Sequence, residues 1–136
     1  MIWQKEIVLP ARGNGMHDIG PEIIHVLPKD IDQGILFLHL LHTSAALTVN
    51  ENYDPDVLRD MQLYLERLAP QQLEGIRHTL EGPDDMPAHV KSSLFGMHLS
   101  LPLKNGQLVL GQWQGVFLCE FRTQVRSRSL FLSILY

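Results

Sequence analysis

The sequence contains a single cysteine, no long apolar run and no broad basic segment. Because Cys119 has no second cysteine to pair with, an internal disulfide is excluded and a reducing compartment is expected. No apolar stretch is long enough to cross a bilayer and the N-terminus does not resemble a signal peptide, so we expect a cytoplasmic protein without a membrane partner. The formal net charge of −4 argues against a general nucleic-acid partner, because phosphate neutralisation needs a wide basic surface.

Composition and short-range patterns predict the fold class. With 45% hydrophobic and 19% charged positions, residues 1–136 are expected to form a single domain with a substantial core. Alternating apolar residues and turn signals predict about six or seven strands, the first from Trp3 to Leu9, together with two or three helices. Asn105-Gly106 is a strong hairpin signal between two of these strands. The predicted class is therefore α+β, built on antiparallel sheet.

Two helices have clear start or stop signals. Asp54-Pro55-Asp56 provides a capping residue, a proline at the first helical position and an acidic first turn, which predicts a helix that ends near Ala69. A second helix is predicted from near Asp85 to Gly96, because glycine is favoured just past a helix end.

Residues 42–52 follow an apolar run that begins after Gly34, and we predict that the two form one long central strand. Side chains alternate between the two faces of a strand. One face then carries Leu47 and Val49 into the core. The other face carries a largely polar row, which predicts a site there: His42, Ser44, Ala46, Thr48 and Asn50.

Histidines supply the first candidate chemistry. His42 begins the polar row, while His78 and His89 bracket a loop rich in carboxylates. Three neutral imidazoles with one open position are typical of a catalytic zinc site. Three acidic residues of the loop could orient the rings from behind: Glu81, Asp84 and Asp85. The alternative is a solvated acidic loop in which the histidines only cap helices or pair with carboxylates.

Basic and hydroxyl side chains supply a second candidate, an anion site. Lys91-Ser92-Ser93 follows His89, where we predict free N–H groups of a first helical turn that favour phosphate. Arg126 and Arg128 are two positions apart, so both are expected to point the same way and to bind phosphate oxygens, held by Glu120. The alternative is a surface Arg–Glu pair and a solvated helix face.

Four separated motifs together resemble the YjbQ-like proteins, the secondary thiamine-phosphate synthase family. The resemblance covers essentially the whole chain and is carried by His42-Thr43-Ser44-Ala45-Ala46 with Asn50-Glu51-Asn52, Ala88-His89-Val90-Lys91-Ser92-Ser93-Leu94 with Gly96, Gly106-x-Leu108-x-Leu110-Gly111-x-Trp113-Gln114-Gly115, and Glu120 with Arg126 and Arg128. Relatives often have an Asn and an Asp shortly before the Ala-His pair, where this chain has Asp84-Asp85-Met86-Pro87. The resemblance therefore assigns no ligand in that loop.

The resemblance implies a fold, an assembly and a site. The implied fold is a β-sandwich of about seven mainly antiparallel strands with two or three helices, and the implied assembly is a homotrimer with sites near subunit boundaries. A divalent metal is implied at three histidines: His42, His78 and His89. The implied catalytic residues are His42, His89, Glu51 and Lys91. The implied contacts to a small phosphorylated molecule are Ser44, Ser92, Ser93, Arg126 and Arg128.

The activity implied by the resemblance is thiamine-phosphate synthesis, in which a pyrimidine pyrophosphate joins a thiazole phosphate and pyrophosphate leaves. That reaction needs neutralisation of the leaving pyrophosphate. Because magnesium prefers oxygen ligands and a histidine cluster suits a zinc-like ion, a second phosphorylated metabolite is also a candidate substrate. A non-enzymatic trimer that binds a metal or a phosphorylated ligand is the alternative.

Overall fold

A computed structural model describes residues 1–136 as eight strands and three helices. The helices are α1 (Gly20–Val26), α2 (Pro55–Leu68) and α3 (Asp85–Phe95). The strands are β1 (Ile2–Arg12), β2 (Gly15–Asp18), β3 (Gln33–Leu40), β4 (Ala45–Glu51), β5 (His98–Lys104), β6 (Gln107–Leu108), β7 (Gln114–Glu120) and β8 (Arg126–Leu135). The α+β prediction is confirmed, with eight strands where about seven were expected. None of the helices is both long and apolar enough to span a bilayer.

The strands form two antiparallel sheets. One has five strands in the order β1-β8-β3-β5-β6, and the other has three in the order β2-β7-β4. Alternate apolar residues of both sheets meet in one core of 16 buried side chains, among them Leu38, Leu132, Leu47 and Leu118. The predicted opening strand continues through Pro10, which is tolerated because β1 is an edge strand and its pairing with β8 is irregular between Leu9 and Arg12.

The predicted central strand is wrong in one respect, because the chain changes sheet in its middle. β3 ends at Leu40 in the five-stranded sheet, and β4 begins at Ala45 in the three-stranded sheet. Residues 41–44 cross between the sheets. The expected polar row is therefore not a continuous open face, and Ala46 is fully buried beneath α3 in a second apolar cluster with Ala88 and Phe117.

The two long helices begin and end close to the predicted residues. The side chain of Asp54 accepts a hydrogen bond from the backbone N–H of Asp56 at 2.9 Å, which caps α2. Gly96 follows α3 with φ of 88°, a conformation that favours glycine. The Asn105-Gly106 hairpin is confirmed, since both residues have positive φ as a two-residue type I′ turn requires.

Candidate metal centre

Three side chains converge where the loop after α2 meets the first turns of α3. Asp85 and His89 are four residues apart on α3, so they lie on the same helix face. His78 approaches from the preceding loop, and its ring centre lies 5.4 Å from that of His89. One ligand atom from each of the three side chains lies within 4.8 Å of the other two. The structure thus brings together two of the three predicted histidines with a carboxylate.

The hydrogen bonds of His89 constrain its protonation. Nδ1 of His89 lies 2.7 Å from the carbonyl oxygen of Thr43, and Nε2 lies 3.1 Å from Oδ2 of Asp85. Because a carbonyl oxygen only accepts, Nδ1 must carry a proton. In a neutral ring, Nε2 then presents a lone pair to a carboxylate oxygen. Two acceptors this close require a cation between them, either a second proton on the ring or a metal ion.

The ring of His78 contacts the same carboxylate oxygen as His89 does. Its Nε2 lies 2.6 Å from Oδ2 of Asp85, and the ring is about half exposed, whereas the Asp85 side chain is only 2% exposed. The carboxylate is therefore fixed and buried, while one imidazole remains open to solvent. This arrangement leaves room for a further ligand on the solvent side.

Arg122 holds the carboxylates from the protein interior. Its Nη1 donates to Oδ1 of Asp85, its Nε donates to Oδ2 of Asp84 at 3.0 Å, and its Nη2 donates to the carbonyl oxygen of Glu81 at 2.8 Å. The backbone N–H of Thr123 donates to the same Asp84 oxygen at 2.9 Å. These contacts orient Asp85 so that only Oδ2 faces the histidines, as outer hydrogen bonds commonly do at metal sites.

The charges of this group leave a negative excess. Burial acts to raise the pKa of Asp85, but the hydrogen bond from His78 and the charges of His89 and Arg122 outweigh it and lower that pKa. At Asp84, burial is likewise outweighed by the N–H of Thr123 and by Arg122, and the pKa is lowered. Both carboxylates are therefore ionised at neutral pH. Because Asp84 and Asp85 share only Arg122, these three side chains together carry one uncompensated negative charge.

Two imidazole nitrogens and one carboxylate oxygen form a recognised ligand set. Zinc, iron(II) and manganese accept this combination, with the remaining positions open to water or substrate. The residues present therefore fit a divalent transition ion: His78, Asp85 and His89. The sequence predicts only an orienting role for Asp85, although its position four residues before His89 places it on the same helix face.

His42 lies outside this group, contrary to the predicted three-histidine set. It lies in the segment that crosses between the sheets, and its Nε2 accepts the backbone N–H of Ser129 at 2.7 Å. Burial and Arg128 lower the pKa of His42, while Glu120 opposes them. The ring of His42 is therefore a neutral acceptor that ties the crossing segment to β8. At the cluster, Asp85 occupies the position that the sequence predicts for His42.

Arg128 is part of the interior and not of an anion site. Its side chain is 2% exposed, and its Nε and Nη2 donate to the two carboxylate oxygens of Glu120 at 2.7 and 2.5 Å. Nη2 also lies 3.1 Å from Oγ of Ser44, which is buried. The predicted phosphate contacts of Arg128 and Ser44 are therefore wrong, because both side chains already have hydrogen-bond partners inside the protein.

The predicted anion site at Lys91-Ser92-Ser93 also needs correction. Since α3 begins at Asp85, these residues lie well inside the helix, where their N–H groups are not free. Oγ of Ser92 donates to the carbonyl of Ala45 at 2.7 Å, and Oγ of Ser93 donates to the carbonyl of His89 at 2.9 Å. Both hydroxyls therefore fasten the helix and are not aimed at a ligand.

Lys91 instead projects into a polar cleft of about 470 Å³, which also includes Asn14, Glu66 and Asp84. The residue is only 8% exposed, and its ammonium nitrogen lies 5.8 Å from the ring centre of Phe121. Burial lowers the pKa of Lys91, and the charges of Glu66 and Asp84 partly oppose this. This desolvated lysine remains a candidate for contact with an anionic group.

Two other predicted site residues lie away from the cluster. Glu51 is the last residue of β4, whereas His89 contacts Thr43 before the first residue of that strand. Glu51 therefore lies at the far end of β4, roughly 20 Å from Ala45 at about 3.3 Å per residue. Arg126 begins β8, and its Nη2 donates to the side chain of Gln124 at 3.0 Å. Neither side chain belongs to the His–Asp group.

A second cleft, of about 400 Å³, borders the cluster on the side of His78. Leucine, isoleucine, methionine, valine and proline side chains dominate its walls. It shares five residues with the cleft that contains Lys91: Ala69, Pro70, Gln71, Gln72 and Pro87. We call these two spaces the apolar cleft and the polar cleft.

Known proteins share this fold and sequence. The family model described as UPF0047 protein YjbQ-like matches residues 5–136. The UPF0047 protein YjbQ of Salmonella typhimurium is 41% identical over 136 residues, with 98% of each chain covered. The UPF0047 protein sll1880 of Synechocystis is 37% identical, with 96% of this chain and 90% of that relative covered.

Solved structures agree with these relatives. The conserved hypothetical protein TT1486 of Thermus thermophilus superposes with a TM-score of 0.87 at 37% identity, covering 96% of this chain and 99% of that one. An uncharacterised YjbQ/UPF0047 protein of Clostridium acetobutylicum superposes with a TM-score of 0.83 at 32% identity, with the same coverage. Fold and site define a small two-sheet α+β protein with a His–Asp cluster beside two clefts. The chain belongs to the UPF0047 family of YjbQ-like proteins, which confirms the resemblance found in the sequence motifs.

Proposed function

We propose that this protein is a metal-dependent enzyme that acts on a small phosphorylated metabolite. The observation that carries the proposal is the pairing of a δ-protonated His89 with an ionised, buried Asp85. A divalent ion at this point would satisfy the facing lone pairs and the uncompensated negative charge. When bound, such an ion supplies Lewis-acid activation of water or of a phosphoryl oxygen.

The chain's own residues have separate roles in this proposal. His78, Asp85 and His89 hold the ion, and Thr43 fixes the ring of His89 through its carbonyl oxygen. Arg122 keeps Asp85 ionised and oriented. Lys91, desolvated in the polar cleft, neutralises a second anionic group of the substrate, such as the outer phosphate of a pyrophosphate.

Thiamine-phosphate synthase-type condensation is the reaction to assay first, because it follows from the family resemblance and uses two phosphorylated substrates. Magnesium would enter that reaction with the substrate pyrophosphate and not at the histidines. Hydrolysis of a phosphate ester with zinc or manganese at the cluster is the second reaction. The non-enzymatic alternative is a protein that binds the metal or a phosphorylated ligand and releases it unchanged.

We place the protein in the cytoplasm as a homotrimer. Support for an assembly comes from exposed apolar side chains on the outer face of the five-stranded sheet, which neighbouring copies would cover. Four of these side chains are 43 to 60% exposed: Ile2, Ile35, Phe37 and Leu135.

The experiment that tests the proposal is elemental analysis of the protein after zinc or manganese loading and gel filtration. We expect about one ion per chain in the parent, and loss of it in His78→Ala and His89→Ala. His98→Ala, at an exposed histidine on β5, is the matched control and should keep the ion. A parent protein that retains no ion after loading would contradict the proposal.

Turnover separates the enzyme from the binding protein. The parent and the three variants are incubated with pyrimidine pyrophosphate plus thiazole phosphate, and separately with phosphate monoesters. Loss of turnover in His89→Ala but not in His98→Ala supports the metal-dependent enzyme. A metal-loaded parent that returns every compound unchanged supports the binding protein.

A further inference from the structure

The apolar cleft has walls that suit an organic group and not a polar one. Leu73, Ile76, Met86 and Val90 contribute to it, and none of its lining side chains carries a fixed charge. Its volume of about 400 Å³ lies within the usual range for small-molecule sites, roughly 300 to 1,000 Å³. His78 lies in its wall, so the cleft opens directly beside a residue of the metal centre.

We propose that the apolar cleft binds the organic part of the substrate, which is therefore an aryl or alkyl phosphate ester and not a sugar phosphate. The inference rests on the proposed function, because it takes the cluster at His78 as the place where the phosphoryl group is held. It adds the chemical class of the substrate and the residues that select it.

Burial and charge support this assignment. Leu73 is 61% exposed and Ile76 and Val90 are each 37% exposed, so a ligand that covers them removes apolar surface from water. That burial is favourable, because apolar surface leaves water. A sugar would place several hydroxyl groups against these side chains, which cannot replace their hydrogen bonds to water. Gln71, Gln72 and Thr79 are the polar lining residues besides His78, and apolar and proline residues outnumber them.

The charges of the polar cleft indicate which way the substrate lies. Across the shared wall, the polar cleft contains Lys91, Glu66 and Asp84, whereas the apolar cleft contains no charged side chain. An anionic group is therefore excluded from the interior of the apolar cleft and remains at its His78 end. The substrate lies with its phosphoryl group at the metal centre and its ring or chain along Ile76 and Val90.

The test compares two probes on the zinc- or manganese-loaded protein, 2-naphthyl phosphate and glycerol 1-phosphate. For Ile76→Asn and Val90→Asn we expect KM for 2-naphthyl phosphate to rise about tenfold with little change in kcat, since hydrophobic pocket contacts act through binding. KM for glycerol 1-phosphate should change less than about twofold. Leu80→Asn is the matched control, because Leu80 lies on the same loop, is fully exposed and does not line the cleft.

Equal changes in KM for the two probes would overturn the inference. A parent protein that does not prefer 2-naphthyl phosphate would also overturn it. A change of oligomeric state in Ile76→Asn without a selective change in KM would also overturn it and assign the cleft to a contact between copies.

Failure of the proposed function can be told apart from failure of this inference, because naphthyl fluorescence measures binding without turnover. If neither probe reacts, tight 2-naphthyl phosphate binding that Ile76→Asn weakens and Leu80→Asn preserves still supports the cleft assignment, and its absence overturns it.

Discussion

Nε2 of His89 lies 3.1 Å from Oδ2 of Asp85, four residues earlier on the same helix. The other nitrogen of that ring is occupied by the carbonyl oxygen of Thr43, so the contact joins two acceptors unless a cation is present. Arg122 cannot supply that cation, because it binds the opposite oxygen of Asp85. The metal proposal depends on this relationship more than on the number of histidines.

Asp85→Asn should weaken zinc binding while the protein stays folded. The amide keeps the shape of the side chain but removes the negative charge and one ligand oxygen. We expect the zinc affinity to fall by at least about 100-fold, the upper end of the loss seen when only a supporting carboxylate is removed. Competition with a chromophoric chelator measures it. Asp56→Asn, at an exposed position on α2, should leave the affinity unchanged, and equal affinities in parent and Asp85→Asn would rule out Asp85 as a ligand.

Arg122→Met should destabilise the protein strongly. The arginine side chain is 5% exposed and pairs with Asp84 and Asp85, whose side chains are 10% and 2% exposed. Its removal leaves two buried carboxylates without their cation, and we expect the free energy of unfolding to fall by about 3 to 5 kcal/mol. Urea denaturation at pH 7 measures this. Arg59→Met breaks an exposed pair with Asp60 and should cost less than about 1 kcal/mol.

Local elements of this fold could be predicted because their signals lie within a few residues. Asp54 and Gly96 mark helix ends through their own backbone and side-chain chemistry, and Asn105-Gly106 closes a hairpin by adopting positive φ. The change of sheet at residues 41–44 has no comparable signal. Its residues, Leu41 to Ser44, could equally continue a strand with one polar face, because sheet membership depends on strands β7 and β8, which come some 70 or more residues later.

The candidate site was likewise predictable only where its residues lie close together in the sequence. His78 and His89 were expected together because they bracket one acidic loop, and the structure places them 5.4 Å apart between ring centres. His42 was misplaced because its assignment depended on a continuous central strand. Arg122 was missed, since nothing local distinguishes an arginine at the end of a strand from one on the surface. Its role appears only when β7 and the loop before α3 are brought together.

The neutral ring of His42 should make stability depend on pH. Burial and the charge of Arg128 lower the pKa of His42 below its ordinary value of 6.5, despite the opposing charge of Glu120. As the pH falls below about 6.5, the unfolded chain binds a proton that the folded protein does not, so the folded state loses stability. The loss continues until the pH passes the lowered pKa of the folded state and then levels off. Protonation also removes the acceptor for the backbone N–H of Ser129.

Urea midpoints of the parent and His42→Gln at pH 8, 7, 6 and 5 measure this dependence. We expect the parent to lose stability between pH 7 and 5 and the variant to lose less over that interval. His25→Gln, at an exposed histidine on α1, should follow the parent. Identical slopes in the parent and His42→Gln would show that this ring does not titrate as its surroundings require.

Phe37→Lys should dissociate the proposed trimer. Phe37 is 43% exposed on the outer face of β3, and its neighbours across the strand pairs are Ser133 and Ser100. A lysine here would bury its charge against apolar surface in any assembly that covers this face. Sedimentation should give three times the 15.5 kDa chain mass for the parent and the single chain mass for the variant. Leu63→Lys, at a half-exposed position on α2, should remain trimeric, and a trimeric Phe37→Lys protein would place the contact between copies elsewhere.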